Sequence, residues 1–330
     1  MAAIEKEDEV MGEQSGSVSV HTPVLLHEVI TFLDPKPGDF IIDGTVDGGG
    51  HAAAIAEIIG LTGTLLGLDW DERLLEKCSA RFADQENVKL VHGNYAELPE
   101  ILEKISATEN NIEKADGLLI DLGFSSEQLE ASGRGFSFGE AARNEPLLMT
   151  YDDARTPVWR ILREESEESL ANIIFEFGDE RKSRRIAKAI KDHGRRKPIM
   201  TAGELADVVR EALTGGIDGK SRGTYEHGRI DPATRTFQAF RIYANGELEN
   251  LKTLLKNLGA IVKPGGRVAI ISFHSTEDGI VKRAFQSLAK EGTLEIITKK
   301  PVEATREEIK ENPRSRSAKI RVAEIMAETK

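Results

Sequence analysis

The sequence predicts an α/β fold in which an open parallel sheet is interrupted by an all-helical insertion. Between residues 40 and 121, short apolar runs alternate with helical patterns, and three of the four runs end in Asp. From 127 to 236 the chain is charged and mostly helical in pattern, with no clear strand. Strands and helices alternate again from residue 237. We therefore expect one sheet domain that is discontinuous along the chain.

The first part of the sheet is predicted from four short apolar runs. A short amphipathic helix that ends near Leu33 leads into the first run, and helical patterns over Ala52–Ala56 and Asp71–Phe82 follow the first and the second. The four predicted strands are Phe40–Ile42, Thr64–Leu68, Val88–His92 and Ala115–Ile120.

The part of the chain after the insertion continues the same alternation. Leucines at helical spacing predict a helix over Gly246–Val262, and the glycines of Pro264–Gly266 predict a tight turn. The elements predicted after this turn are, in order, a strand over Arg267–Phe273, a helix over Thr276–Ala289, and two strands at Leu294–Thr298 and Ala318–Glu324.

The domain organisation follows from these patterns. We expect residues 18–126 and 237–330 to form the sheet domain, and residues 127–236 to form the helical insertion that recognises the substrate. Residues 1–17 carry five acids against one lysine and have no apolar periodicity, so they predict a disordered tail.

Composition restricts the class of protein. The chain has 330 residues, 39% of them hydrophobic, and a net charge of −12, as expected of a soluble globular protein. The single cysteine, Cys78, excludes intrachain disulfides and cysteine-based zinc clusters, and it fits a reducing cytosol. No apolar run is long enough for a membrane helix, and no signal peptide is recognisable. We expect a cytoplasmic protein with no membrane partner and no metal site.

A glycine-rich loop after the first predicted strand indicates a ligand site. Gly48, Gly49 and Gly50 allow the backbone to approach a ligand closely, and Asp69 ends the second strand. Ligands of open parallel sheets bind beyond the carboxyl ends of the strands, where this carboxylate can accept ribose hydroxyls. The sequence therefore predicts a nucleoside-type cofactor site; a structural turn beside a solvated acid is the alternative.

The chemistry of the loop favours S-adenosylmethionine as the cofactor. The spaced glycines of a dinucleotide site are missing, and the nearest approach to a P-loop has Thr214 where the first glycine belongs. Asp43 and Asp69 would repel phosphates, whereas S-adenosylmethionine has none and carries a positive sulfonium. An NAD-dependent oxidoreductase is thereby disfavoured.

The insertion has the opposite charge to the rest of the chain. Residues 181–235 contain fourteen basic and seven acidic side chains, a net charge of +7, and Asn312–Lys319 adds a second basic stretch. Local basic patches bind phosphates whatever the total charge, so we expect an RNA-facing surface. A solvated face of ion pairs is the alternative, and a non-catalytic RNA-binding protein would use the same surface.

Several longer motifs occur in one order along the chain. They are His21 with Pro23-Val24-Leu25-Leu26, Gly48–His51, Asp121–Leu129, Arg134–Phe138, Pro232–Ile242, Ser272–Asp278 and Arg314–Lys319. Together, from His21 to Glu324, they resemble the bacterial 16S rRNA cytosine-N4 methyltransferases of the MraW family, also called RsmH.

This resemblance implies a class I S-adenosylmethionine-dependent methyltransferase, Rossmann-like, with a mostly parallel sheet and an antiparallel C-terminal edge. The implied substrate is the N4 amine of a cytosine in the decoding centre (P site) of 16S rRNA, within the small ribosomal subunit. A homodimer is left open. The residues that it implies as cofactor contacts are Gly49, Gly50, His51, Asp69, Tyr95, Asp121 and Gln128.

The chain departs from the family pattern at two loops. Val46-Asp47 stands where the family shows Phe or Leu followed by Gly, so an acid enters the cofactor loop. Leu148 and Thr150 stand where the family has an acid and an arginine in the loop on the substrate side.

Asp121 is the predicted catalytic residue. Methyl transfer needs the amine in line with the sulfonium carbon, and an acceptor for the N4 hydrogens would make this weak nucleophile more reactive. The carbonyls of Leu122 and Gly123 are equal candidates, and Asp121 is as well suited to binding the methionine end of the cofactor. The aromatic residues Phe124, Phe136, Phe138 and Phe273 stack on the target base or belong to the core.

Overall fold

The computed structural model describes residues 23–108, 114–123, 133–214 and 231–327. The predicted acidic tail, 1–17, lies outside these residues. The strands are β1 Phe40–Asp43, β2 Thr64–Asp69, β3 Val88–His92, β4 Ala115–Asp121, β5 Val262–Ser272, β6 Leu294–Ile296, β7 Val302–Glu303 and β8 Lys319–Ile325.

Helices connect and cover these strands. Those of the sheet domain are α1 Leu26–Leu33, α2 Gly50–Ile59, α3 Glu72–Arg81, α4 Leu98–Thr108, α10 Glu247–Lys256, α11 Leu258–Ile261, α12 Ser275–Lys290 and α13 Arg306–Glu311. Between β4 and α10 lie α5 Val158–Glu164, α6 Glu167–Gly178, α7 Ser183–Gly194, α8 Ala202–Thr214 and α9 Thr234–Asn245.

The strand order of the sheet is β3-β2-β1-β4-β5-β8-β6, and β7 also pairs with β8. All pairs from β3 to β5 are parallel, whereas β8 runs antiparallel to β5, β6 and β7. The predicted mostly parallel sheet with an antiparallel C-terminal edge is therefore confirmed. The sequence did not predict β7, because a two-residue strand has no periodicity to read.

The sheet is covered on both faces, which explains why its strands are apolar without interruption. Successive strand residues point to opposite faces. Leu118 and Ile120 of β4 belong to the apolar cluster that includes residues of α4, α10 and α12, and Leu119 belongs to the cluster with α1 and α2. In β5, Val268 belongs to the first of these clusters and Ala269 belongs to the second.

The helices after β4 have an apolar core of their own. Leu170 of α6, Ile186 of α7 and Leu205 of α8 are fully buried in this core. Helix α9 runs across the predicted domain junction at 236/237, and its Phe237 and Phe240 pack into the same helical core. Neither Gly nor Pro interrupts the chain there, so the helix has no reason to stop. The domain boundaries themselves stay a prediction.

Two local expectations need correction. The helix predicted over Gly246–Val262 is divided at Asn257 into α10 and α11. The predicted turn at Pro264–Gly266 lies within β5, where Ala115 pairs with Val262 but Gly117 pairs with Arg267. Three extra residues therefore bulge out of the ladder, and Gly265 adopts a φ of +82°.

Candidate active site

A cavity of about 670 Å³ opens at the carboxyl ends of β1, β2 and β4. One wall consists of strand ends and the loops that follow them, including Thr45, Asp69 and Asp121. The opposite wall comes from the helical segment, including Phe136 and Phe237. The position is the one at which open parallel sheets bind ligands, and the volume is typical of small-molecule sites.

The loop after β1 is held in place by backbone hydrogen bonds to two neighbouring strands. The Gly44 amide donates to the Leu119 carbonyl of β4 (2.9 Å), and the Val46 amide donates to the Leu68 carbonyl of β2 (2.7 Å). A Cβ at Gly44 would lie 2.5 Å from Ile120 Cδ1 and 3.2 Å from Tyr95 Cβ, so glycine allows this close approach without displacing either side chain. Sequence reasoning missed Gly44 as a site residue, although it directly follows the Asp at the end of β1.

Asp43 lies beneath this loop, and the structure does not place it among the residues that line the cavity. It is 1% exposed, and its Oδ1 accepts a hydrogen bond from the Thr45 amide (3.1 Å). Burial raises the pKa of Asp43 to about 7, although the bond from Thr45 opposes the rise. Asp43 therefore shapes the loop that the cofactor would contact.

Asp69 lines the cavity and ties the glycine-rich loop to β2. Its two carboxylate oxygens accept hydrogen bonds from the amides of Asp47 (2.9 Å) and Asp71 (2.8 Å). Burial raises the pKa of Asp69 to about 7, and the charge of Asp47 adds to the rise. Each carboxylate oxygen has a second lone pair, so Asp69 can still accept ribose hydroxyls.

Asp121, the last residue of β4, also lines the cavity. Its amide donates to Thr45 Oγ1 (2.7 Å), whereas its buried Oδ1 has no hydrogen-bond partner among the described residues. Burial raises the pKa of Asp121 well above its ordinary value, and the charges of Asp47, Asp43 and Glu277 add to the rise. A buried acceptor without a donor is costly, which suits a position that a ligand's N–H groups fill.

The predicted contacts Gly49, Gly50 and His51 lie behind the cavity wall. A Cβ at Gly49 would be 2.9 Å from Phe82, and one at Gly50 would be 3.2 Å from Pro23, so both glycines allow close packing. His51 Nε2 lies 2.9 Å from the Val24 carbonyl, and its Nδ1 lies 3.8 Å from Asp121 Oδ2. Because a carbonyl only accepts, Nε2 carries the proton.

Tyr95 lines the cavity, as expected of a cofactor contact. It begins the short 3₁₀ helix Tyr95–Glu97, which is capped by Asn94. Burial raises the pKa of its phenol, which therefore stays protonated. Gln128 and Phe124 lie outside the described residues.

The wall from the helical segment is aromatic, and Trp70 joins it from the end of β2. Ring centroids of Phe138 and Phe237 are 4.5 Å apart, those of Phe136 and Tyr151 are 5.4 Å apart, and Trp70 is 5.6 Å from Tyr151. All five rings line the cavity, so their packing role and a ligand-contact role coincide. Trp70 and Tyr151 were not predicted as site residues.

One face of α9 completes this wall. Thr234, Phe237, Gln238 and Arg241 recur at helical spacing and all line the cavity. That spacing, within a motif already recognised, was the signal that could have identified Gln238 and Arg241.

A buried polar network fixes the orientation of α9. Arg241 donates two hydrogen bonds to Glu247, each 3.0 Å long, and the Tyr151 hydroxyl donates to Glu247 Oε1 (3.1 Å). Burial raises the pKa of Glu247 despite the opposing charge of Arg241. The network joins the aromatic wall to the first turn of α10.

His274 caps α12 and lines the cavity. Its Nδ1 accepts a hydrogen bond from the Glu277 amide (3.3 Å), and its Nε2 lies 3.1 Å from Glu277 Oε1. Burial disfavours ionised Glu277, but His274, the Phe273 amide and the charge of Arg241 together outweigh it, and the pKa of Glu277 is lowered. The observed contacts of His274 are therefore those of a helix cap.

The basic surface of the helical segment is partly neutralised. Lys188 and Arg195 pair with Asp192, and Lys197 pairs with Glu204. Arg184 and Arg185 of α7 are exposed, and no described acid forms an ion pair with either one. Ion pairing therefore accounts for only part of the positive charge.

The cavity fits the expected cofactor. Asp69 and Tyr95 would hold the adenosyl part, and the unpaired Oδ1 of Asp121 offers an acceptor either to N–H donors of the methionine part or to an N–H of the substrate. Acidic side chains on the strand tips suit a sulfonium and exclude phosphates. Within the described ranges there is no group of His, Cys, Asp or Glu that could hold a metal ion, and no helix long and apolar enough to cross a membrane.

Comparison with known proteins agrees with this site. The profile of the MraW methylase family matches residues 18–326. Ribosomal RNA small subunit methyltransferase H of Syntrophus aciditrophicus is 41% identical over 326 residues, with 94% of this chain and 98% of that protein covered. The protein of the same name from Thermotoga neapolitana is 42% identical over 312 residues, with 93% and 97% covered.

Similarity to solved structures is weaker. An rRNA methylase from Streptococcus thermophilus is 11% identical with a TM-score of 0.39, over 92% of this chain and 96% of that chain. A likeness this distant adds nothing to the assignment. The assignment depends on the family profile and on the relatives that match over nearly their full length. They show that the chain belongs to the MraW methylase family and is an S-adenosylmethionine-dependent methyltransferase.

Proposed function

We propose that this enzyme methylates the N4 amine of a cytosine in the decoding centre (P site) of 16S rRNA, within the small ribosomal subunit. The names of its relatives support rRNA of the small subunit as the substrate. The observation that carries the proposal is a single cavity with a carboxylate-bearing wall and an aromatic wall. The first suits a cationic methyl donor, and the second suits a flat base.

The aromatic wall is the proposed position of the target base. Phe136, Phe138 and Phe237 present ring faces and edges on which a base taken out of its stack can rest. Extruding a base costs a few kcal/mol, and stacking on such rings recovers part of that cost. Because these rings come from the helical segment, that segment would select the substrate.

Asp121 is the proposed catalytic residue. S-adenosylmethionine, when bound, supplies the electrophilic methyl group. The free lone pairs of Asp121 Oδ1 would accept a hydrogen from the N4 amine, localise the nitrogen lone pair and take up the proton that leaves. The raised pKa of Asp121 makes it a better proton acceptor than an ordinary carboxylate. The Leu122 and Gly123 carbonyls stay alternatives.

The loop that contains Leu148 and Thr150 lies on the substrate side of the cavity. It lacks the acid and the arginine that the family has at these two positions. Arg134 donates to the Thr150 carbonyl (3.1 Å) and to Asp153 (2.7 Å), and these bonds hold the loop. Met149 between them lines the cavity. We infer that the loop keeps its place although its charges differ.

Residues on the basic surface would contact the rRNA backbone. Arg184 and Arg185 lie on α7, and Arg314 reaches the cavity from the second basic stretch. A ribosomal substrate also places the enzyme in the cytoplasm. The proposal does not depend on whether the protein is a homodimer.

Mass spectrometry of rRNA tests the proposal. Small subunits lacking the modification are incubated with the protein and S-adenosylmethionine, and the rRNA is digested and mapped. We expect N4-methylcytosine at one decoding-centre position. Methylation at another atom or another site contradicts the fine specificity, and RNA binding without any methyl transfer would identify a non-catalytic RNA-binding protein. Heat-inactivated protein is the control.

A further inference from the structure

The loop that contains Leu148 and Thr150 also contributes two side chains to the cavity. Met149 and Tyr151 line it on the side of the helical segment. The backbone of Met149 has a φ of +54°, a left-handed conformation that residues with a side chain rarely adopt. Contacts from outside the loop must therefore hold this conformation.

Asn245, the last residue of α9, supplies such contacts. Its Nδ2 donates to the Met149 carbonyl (2.8 Å), and its Oδ1 accepts from the Tyr151 amide (3.0 Å). The side-chain amide thus joins the two peptide groups on either side of Thr150. The loop is therefore attached to the C-terminal end of α9 at two backbone points.

The position of Asn245 requires a side chain that both donates and accepts. Asn245 is fully buried, and its Nδ2 also donates to the Arg241 carbonyl (2.9 Å). Two carbonyls on one side and an N–H group on the other fix the orientation of the side-chain amide. An isosteric Asp offers acceptors only and would face both carbonyls, and an apolar side chain would deprive both peptide groups of the loop of this partner.

The attachment of the loop determines where part of the aromatic wall lies. The Tyr151 ring stacks on Phe136 with 5.4 Å between centroids and 20° between planes, and Trp70 lies 5.6 Å away. The Tyr151 hydroxyl donates to Glu247 (3.1 Å), so the residue is held at the far end of its side chain and, by Asn245, at its backbone. A displacement of the loop would therefore move this ring relative to the cavity.

The cofactor side of the cavity is built by different residues. Asp69, Tyr95 and Asp121 lie at the ends of strands or shortly after them. Every side-chain hydrogen bond that Asn245 makes within the described ranges goes to the loop or to α9. We therefore expect a change at Asn245 to act on the substrate side of the cavity.

We propose that Asn245 is a positioning residue for the target base. It holds Met149 and Tyr151 on the wall that would receive this base, and so it affects use of the RNA substrate without affecting binding of the cofactor. The inference rests on the proposed function, which assigns the aromatic wall to the base. It also accounts for the departures from the family at Leu148 and Thr150, because Asn245 holds the loop through backbone groups that do not depend on those side chains.

Two substitutions of Asn245 change its hydrogen bonds. Asn245→Asp keeps the acceptor for the Tyr151 amide and removes both donors, whereas Asn245→Ala removes all the hydrogen bonds of the side chain. Asn87→Ala is the matched control: Asn87 Nδ2 donates to the Gly60 carbonyl (3.0 Å) beside the amino end of β3, whereas the cavity lies at the carboxyl ends of the strands. Thermal unfolding of each variant gives a temperature at which all of them are folded.

The test compares cofactor affinity with the rate on small ribosomal subunits that lack the modification. Isothermal titration with S-adenosylmethionine should give the wild-type Kd for both Asn245 variants. At saturating cofactor, kcat/KM for methylation of the subunits should fall by about 10- to 100-fold, as for a misplaced reacting group. Asn87→Ala should keep both values. The inference is overturned by an unchanged kcat/KM, by a cofactor affinity that falls in proportion to it, or by an equal loss in Asn87→Ala.

Met149→Ala tests the same inference if substitution of Asn245 prevents folding. It leaves the backbone hydrogen bond to Asn245 in place and removes the side chain of Met149 beyond Cβ. We expect a lower kcat/KM for the subunits with an unchanged Kd for S-adenosylmethionine. Wild-type values of both quantities would overturn the inference.

Failure of this inference and failure of the proposed function are distinguishable. If the wild-type protein methylates another atom or another RNA, the proposed function fails, and the variants are compared on that substrate. If the wild type methylates the decoding-centre cytosine and the variants equal it in kcat/KM, only the inference fails.

Discussion

Asp121 combines three features that its neighbours do not share. It ends the central strand β4, it faces the cavity, and one of its buried oxygens has no partner among the described residues. His51 lies behind it, with Nδ1 3.8 Å from Asp121 Oδ2. The contact of His51 Nε2–H with the Val24 carbonyl fixes the ring so that Nδ1 faces Asp121.

Asp121→Asn tests the role of this carboxylate. If Asp121 accepts the amine hydrogens, we expect kcat at saturating cofactor to fall by about 10²- to 10³-fold, as is typical for loss of a general base. The neutral amide also removes a buried carboxylate whose ionisation is disfavoured, so the free energy of unfolding near neutral pH should not decrease.

Rates and binding distinguish the two roles left open for Asp121. A weaker Kd for S-adenosylmethionine with an unchanged kcat would mean that Asp121 binds only the methionine end. Asp84→Asn is the control for net charge, because Asp84 is exposed and lies in the loop before β3.

The carboxyl groups of Asp43 and Asp69 should make stability depend on pH. Burial raises both pKa values from 3.8 to about 7, so the folded protein binds more protons than the unfolded chain between these values. Their contribution to stability is greatest below the unfolded pKa and is lost as pH rises through about 7. Thermal unfolding of the cofactor-free protein should therefore show a Tm that falls between about pH 4 and pH 7.

Cofactor binding should reduce this pH dependence. A cationic ligand favours the ionised carboxyl groups, so binding releases protons and tightens as pH rises over the same interval. Titrations in buffers of different ionisation enthalpy measure the release. Uptake of protons on binding would contradict this expectation. A Tm that rises with pH in both the wild type and the Asp69→Asn variant would show that other titratable groups determine the pH dependence of stability.

At the scale of elements, the ion pair between α9 and α10 determines how the aromatic wall meets the sheet domain. Arg241 and Glu247 are both buried and are joined by two hydrogen bonds, and the Tyr151 hydroxyl donates a third hydrogen bond to Glu247. A buried pair contributes little net stability compared with apolar residues, but a single partner left alone is expensive.

A double-mutant cycle tests this pair. We expect Arg241→Leu to lower the free energy of unfolding by about 3–5 kcal/mol, because Glu247 is left buried without its cation. Adding Glu247→Leu should restore much of that loss. Urea denaturation gives both values, and additive effects of the two substitutions would contradict the coupling.

Helix α7 carries the prediction for RNA binding. Arg184→Ala with Arg185→Ala should weaken binding of small-subunit rRNA and lower the slope of log Kd against log salt by between about one and two, as for two lost phosphate contacts. Lys282→Ala with Arg283→Ala on α12 removes the same charge from the sheet domain and serves as the matched control. An equal effect of both pairs would indicate nonspecific attraction only.

At the scale of the whole molecule, one cavity is shared by the sheet domain and the helical segment. Binding to the native state alone stabilises by about 2.7 kcal/mol at a ligand concentration of 100 Kd. Hydrogen exchange should therefore slow on S-adenosylmethionine binding both at the tip of β4 and along α9. Protection confined to the β4 side would mean that the aromatic wall does not close on the cofactor.

The sequence predicted those parts of this architecture that depend on local pattern. Apolar runs identified five parallel strands, and Asp69, Tyr95 and Asp121 all line the cavity. Contacts formed across the cavity were not predictable in this way. Trp70, Tyr151 and Arg241 meet there from three distant parts of the chain, and only the packing of the helical segment against the sheet brings them together.

The pairing of β4 with β5 joins strands that are separated by the 140 residues from 122 to 261. During synthesis, one long edge of β4 therefore has no partner until the ribosome has made the entire insertion and β5. Until β5 is made, the unpaired backbone N–H and C=O groups of that edge are a site for mispairing and aggregation. Nascent chains stalled before residue 262 should thus depend on chaperones more than chains that are released after β8.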